Sequence, residues 1–169
     1  MAFIKQAVIG GVVVYIWSMV SWMALPWHNK VIHPFEHDID VARMLEFGTP
    51  RSGIYIYPAW GSPDMKAGTS TAFVAYNKDG MRSMGMSMAS AFALQMIGAF
   101  ILAWFFGKTS GLSYGQKVLF AAVYGLAIGL LGSGPYWIWW GFGADYTGVA
   151  IADAIVGWTL AGLAMGKVN

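Results

Sequence analysis

Four long apolar runs dominate this sequence, separated by stretches where charge, proline and glycine collect. Each is close to the ~20 residues that an α-helix needs to cross a hydrocarbon layer. The pattern therefore predicts spanning helices over about 7–25, 86–106, 118–138 and 147–165. The first run follows Lys5 and has the charge and apolar core of a signal peptide. It lacks a convincing small-x-small cleavage pattern and is long enough to span, so it is read as a retained helix that Pro26 stops. Trp22 and Trp27 mark its interface with water.

Between the first and second runs the polar pattern changes period. This segment, 27–84, is too long for a mere connection and reads as a small folded cap. Residues 35–47 suit a short amphipathic helix, with Ile39, Ala42 and Leu45 on one side, Asp38 as N-cap and Gly48 as its stop. Residues 52–57 and 71–77 are rich in β-branched and aromatic types. Proline, glycine, Asn77 and Asp79 bound them, so they read as a hairpin. Two strands alone are marginal in water, and this pair needs the helix or the membrane surface to cover its apolar face. The expected fold is an all-α integral membrane protein: four transmembrane helices in one domain, with a small α+β extracytoplasmic cap inserted between helices 1 and 2.

The stretch from Gly132 to Asp145 joins the third and fourth runs. Its glycines and Pro135 predict a tight reversal, and Tyr136, Trp137, Trp139 and Trp140 predict an aromatic rim at headgroup level. Orientation follows from the basic residues. Lys108 and Lys117 flank the short second loop, Lys5 and Lys167 sit at the ends, and the loop bearing Asp145 has no Lys or Arg. The positive-inside rule then puts both termini in the cytoplasm and the cap outside, in a membrane such as the bacterial inner membrane.

Within the helices, small or polar residues recur every four positions. Gly125 and Gly129 form one stripe; Asp153, Gly157 and Ala161 form another. Such stripes let helix backbones approach closely, either inside one bundle or between copies and partners. Asp153 is the outstanding member, because an intramembrane carboxylate is costly unless it faces protein or water. At 1.5 Å per residue it is expected ~9 Å below the start of its helix, and Gln95 ~13 Å below the start of its own. A polar cluster of Asp153, Gln95, Ser133 and Ser18 beneath the cap is therefore expected, with Gln95 or Ser133 as hydrogen-bond partner of the carboxylate.

Two further groups could carry chemistry. His28, His33 and His37 crowd together with Glu36, Asp38 and Asp40, and imidazole with carboxylate is a ligand set for zinc or copper. Met81, Met84 and Met88 would share a helical face and supply soft donors for Cu(I). His33-Pro-Phe-Glu36-His37 also has the H-x-x-E-H spacing of some metallopeptidases, but Pro34 keeps the two histidines off one continuous helix.

Composition narrows the functional classes. Of 169 residues, 57% are hydrophobic and only 11% charged, far from a soluble domain. No basic run suited to nucleic acid is present, and the absence of cysteine excludes disulfides, thiolate metal sites and iron–sulfur clusters. Nor does a phosphate loop, a nucleophile–base set or a rigid carboxylate pair occur, so the balance is against an enzyme. The leading expectation is an accessory or assembly subunit of a larger membrane complex, respiratory, photosynthetic or other. Its partners are then the lipid bilayer and other membrane subunits or a second copy. The alternatives are a metal- or small-ligand-binding membrane protein using the capped outer face, and an oligomeric channel or transporter.

Overall fold

The structure, a computed structural model, describes residues 2–109 and 111–168. In chain order these form α1 (Ala2–Met23), α2 (Trp27–Val31), α3 (Asp38–Gly48), β1 (Gly53–Tyr57), β2 (Ala72–Tyr76), α4 (Met84–Lys108), α5 (Tyr114–Trp140) and α6 (Ala144–Met165). Four of them, α1, α4, α5 and α6, are long and apolar enough to cross a membrane.

These four pack in the order α4, α1, α6, α5, with α1 and α6 at the centre. The small residues decide this order. On α1 the buried positions Ala7, Gly10, Val14 and Ser21 recur at helical spacing, and Gly10 and Gly11 lie against Met165 and Met96. On α5 a methyl group at Gly125 would meet the Ala154 carbonyl oxygen at 2.6 Å, and one at Gly129 the Ile151 Cα at 2.8 Å. That glycine stripe is therefore used inside this chain, against α6, as is Ala161, which is fully buried. Helices α4 and α5 scarcely touch. Phe120 packs on Phe105 and Phe106 near one end, and the Tyr124 hydroxyl donates to the Gly98 carbonyl at 3.2 Å. Toward the other end, where α4 begins and α5 ends, the two helices leave a cleft.

Several boundaries differ from the sequence expectation. Helix α5 runs through Pro135 to Trp140, slightly past the expected end at 138, so the glycines and Pro135 from Gly132 on, expected to favour a reversal, lie inside the helix. Proline lacks one donor, but breaking the helix there would expose several backbone groups to hydrocarbon, so continuation is the better solution. The reversal comes at Gly141, whose φ of 75° suits glycine, and the Phe142 N–H bonds back to the Tyr136 carbonyl at 3.3 Å. Helix α1 stops at Met23, and an additional short helix, α2, starts after Pro26. Helix α3 starts at Asp38, later than 35, with His37 in the capping position. Asp38 is its first residue and takes the Ile39 N–H on its own carboxylate at 2.8 Å.

The hairpin pairs antiparallel, Gly53 with Tyr76 through to Tyr57 with Ala72. What covers it is neither α3 nor lipid alone: Phe73 packs at 5.1 Å on Trp140 and at 5.8 Å on Phe142, and also touches Tyr136. The α5–α6 turn thus serves as the hairpin's floor. Helix α3 buries none of its residues, and Phe47 is 96% exposed.

Candidate functional site

The densest polar arrangement lies where the last turns of α1, the short α2 and α6 meet. Gly157 provides the notch that shapes it. A methyl there would fall 2.7 Å from Cδ1 of Trp17, so only glycine lets the Trp17 indole lie flat against α6. One turn away, Asp153 receives the indole N–H on Oδ1 at 2.6 Å, and the Asp153 carbonyl lies 3.2 Å from the same nitrogen. The i, i+4 spacing of Asp153 and Gly157 therefore seats one ring and bonds its nitrogen.

The other carboxylate oxygen, Oδ2, lies 3.5 Å from Nε2 of His28. That nitrogen is also 3.0 Å from the Ser21 hydroxyl, which accepts from the Trp27 indole at 3.0 Å. Ser21 is fully buried and His28 only 2% exposed. Two tryptophans enclose the imidazole: Trp22 stacks on it at 3.9 Å and 9°, and Trp27 meets it edge-on at 5.6 Å. Every buried side-chain nitrogen and oxygen among the described residues has a partner, as a low-dielectric setting demands.

The Ser21–His28 contact is satisfied by either ring tautomer: the hydroxyl donates to a bare Nε2 or accepts from an Nε2–H.

Beside this network is a cavity of about 430 Å³ lined by Asp153, Gln95, Ser18, Trp17, Trp158 and neighbouring apolar residues of α1, α4, α5 and α6. Three of the four expected polar residues, Asp153, Gln95 and Ser18, thus share one space. Ser133 does not line it. The bonding differs from expectation as well: Asp153 is held by Trp17 and His28, not by Gln95 or Ser133, and Ser18 donates to Tyr15 of its own helix at 2.7 Å. The Gln95 amide takes part in no hydrogen bond among the described residues.

The candidate metal residues are dispersed. His28 is buried in the network, whereas His33 and His37 are exposed on the chain leading to α3. Among the described residues no three His, Asp or Glu side chains gather in a ligand cluster. Met81 precedes α4, whose first residue is Met84, so the three methionines do not form one helical face; Met81 is 97% exposed. Ser21 belongs to the polar residues expected beneath the cap, Trp27 was expected only as an interface ring, and Trp17 was missed. The signal for Trp17 was faint: it stands one helical turn from Ser21 on the face of α1 that also carries Gly10 and Val14. No protein-family model, curated protein or solved structure matches this chain.

Proposed function

We propose that this chain is an accessory or assembly subunit of a larger membrane complex, and that it receives a helix of another subunit in the cleft between α4 and α5. The observation that carries this reading is the Gln95 amide. It lines a cavity at the level of the spanning helices and has no hydrogen-bond partner among the described residues, beside a carboxylate that is only partly enclosed. In lipid an unsatisfied amide costs free energy, whereas a neighbouring helix offering a hydroxyl, amide or free carbonyl satisfies it. In this reading the protein sits in the bacterial inner membrane with both termini cytoplasmic. Residues 27–83 and the tryptophan-rich end of α5 face outward.

A second reading, a membrane protein that binds a small ligand at its capped outer face, is favoured by the His28–Asp153 pair beside the same cavity. Such a ligand would meet that pair through polar contacts to the Asp153 carboxylate, which lines the cavity.

Purification from native membranes in mild detergent, followed by identification of stoichiometric companions, tests the first reading. Gln95→Leu should weaken retention of the companion several-fold while leaving the isolated chain as stable as the parent. A parent that purifies alone, or a Gln95→Leu variant that keeps its companion fully, sinks the subunit reading. Orientation is tested separately by single cysteines at Ser62 and Leu112, of which only the first should react with an impermeant thiol reagent in intact cells.

A further inference from the structure

A second cavity, of about 340 Å³, lies outside the spanning core where the β1–β2 connection folds over the end of α5. Its lining combines four aromatic side chains, Tyr57, Trp60, Trp139 and Trp140, with one acid and one base, Asp64 and Lys66. Trp60 and Trp140 stand at 81° with centroids 6.0 Å apart, so they form two walls of a corner. Trp60 remains 72% exposed and Trp139 76% exposed, which leaves ring surface free inside the corner. Aromatic anchoring at a membrane surface accounts for Trp139 and Trp140 at a helix end. It does not account for Trp60, which comes from a connection between strands. Nor does it account for opposite charges on the same lining, and among the described residues neither Asp64 nor Lys66 enters an ion pair.

The framework that holds the corner is short and tied down. The paired strands fix both ends of the connection, and Phe73 of β2 packs on Trp140. Within the connection, backbone bonds from Ser62 to Ala59 and from Met65 to Ser62, each 3.0 Å, set successive turns.

We propose that this corner binds the phosphoalkylammonium head group of a zwitterionic phospholipid. Methylated ammonium is weakly hydrated and is held by aromatic faces with an acid nearby, which is the donor set of Trp60, Trp140, Tyr57 and Asp64. The adjoining phosphate carries the opposite charge and falls to Lys66. The tryptophan-rich end of a spanning helix is the depth at which head groups lie, so the cavity meets this chemistry without a diffusing ligand.

The test uses the full chain in mild detergent, offered equimolar phosphatidylcholine, phosphatidylethanolamine and phosphatidylglycerol with identical acyl chains. Retained lipid is counted by native mass spectrometry. The expected result is one zwitterionic lipid retained over phosphatidylglycerol by roughly three- to thirty-fold, the range a desolvated cation–aromatic contact supports. Trp60→Ala and Asp64→Asn should each bring that preference close to parity with an unchanged thermal transition, and Trp60→Phe should keep most of it. Glycerophosphocholine supplies the same head without tails. Its displacing the retained lipid in a Trp60-dependent way assigns the corner to a soluble head group, and its failure to do so assigns it to the bilayer lipid; either outcome keeps the chemistry. Equal retention of phosphatidylglycerol by the parent, or a preference that survives both Trp60→Ala and Asp64→Asn, overturns the proposal.

Discussion

His28 lies only a short stretch of chain before His33 and His37, yet the structure treats them in opposite ways. The first is drawn into the helix array, stacked on Trp22 and set against Ser21 and Asp153. The other two remain exposed on the way to α3, a helix that buries nothing. The difference lies in the neighbours. Pro26 breaks α1 and lets α2 fold back, so Trp27 and His28 return toward the helix they have just left, and the Trp27 indole bonds Ser21. Pro34 offers His33 no such return. Proximity in sequence therefore suggested one histidine cluster, whereas tertiary contact divides it into a structural half and a free half.

The largest expected effect comes from removing the anion at the centre of the structural half. Asp153→Leu removes the carboxylate that takes the Trp17 N–H, leaving it only the backbone carbonyl at 3.2 Å, and removes the carboxylate beside His28, leaving it only Ser21. Loss of a buried partner of this kind costs about 1–3 kcal/mol, and two groups each lose one here. Asp153→Asn keeps an acceptor for Trp17 and should lose about half as much. Thermal unfolding in detergent measures both. If Asp153→Leu matched the parent, the buried half would be no more structural than the exposed one.

A middle effect separates the two faces of the 27–83 segment. Phe73 is the hairpin's contact with Trp140, Phe142 and Tyr136. Phe73→Ala should loosen the hairpin by about 1–2 kcal/mol, from lost apolar burial together with aromatic pair contacts. Faster proteolysis between β1 and β2, with the four long helices retained by circular dichroism, is the expected signature. Unchanged proteolysis would mean that the hairpin is held by something other than the α5–α6 turn.

How much of this was legible follows from which forces act locally. The long helices could be read because hydrocarbon demands a continuous apolar run, and the strands because their composition and turn residues agree. Asp153 and Gly157 could be placed on one inward face from their spacing alone. Their partner could not. A tryptophan in a spanning helix reads as an interface or lipid-facing ring, and its N–H acquires a role only once the offset between α1 and α6 is set. Helix α2 is too short to show a period. At Gly132 and Pro135 the turn signal was genuine, but the hydrogen-bonding demand of the spanning helix overrode it.

A smaller effect tests the notch. Gly157→Ala gains about 1 kcal/mol in helix propensity, while the new methyl forces the Trp17 ring away from its seat, an overpacking cost of about 1–3 kcal/mol. The expected net loss is about 1 kcal/mol. Pairing it with Trp17→Phe discriminates a specific clash from a general one. If the notch exists for this ring, the double variant loses less than the sum of the single losses; strict additivity would separate Gly157 from the Asp153 network.

The smallest effect is expected from the free half. His33 and His37 are exposed and neither contributes to the network around Asp153, so His33→Ala with His37→Ala should change stability by less than about 0.5 kcal/mol, as surface substitutions do. His28→Ala should cost clearly more, since it removes the base that Ser21 and Asp153 share. The same variants bear on metal. Any copper or zinc held through His33 and His37 must do without His28, which Trp22 and Trp27 enclose, and among the described residues no three His, Asp or Glu side chains gather as ligands. Metal content after purification should therefore be the same in parent and double variant. One ion per chain in the parent, lost in the double variant and kept in His28→Ala, would reverse the comparison: the half that packs against nothing would then be the half with the site.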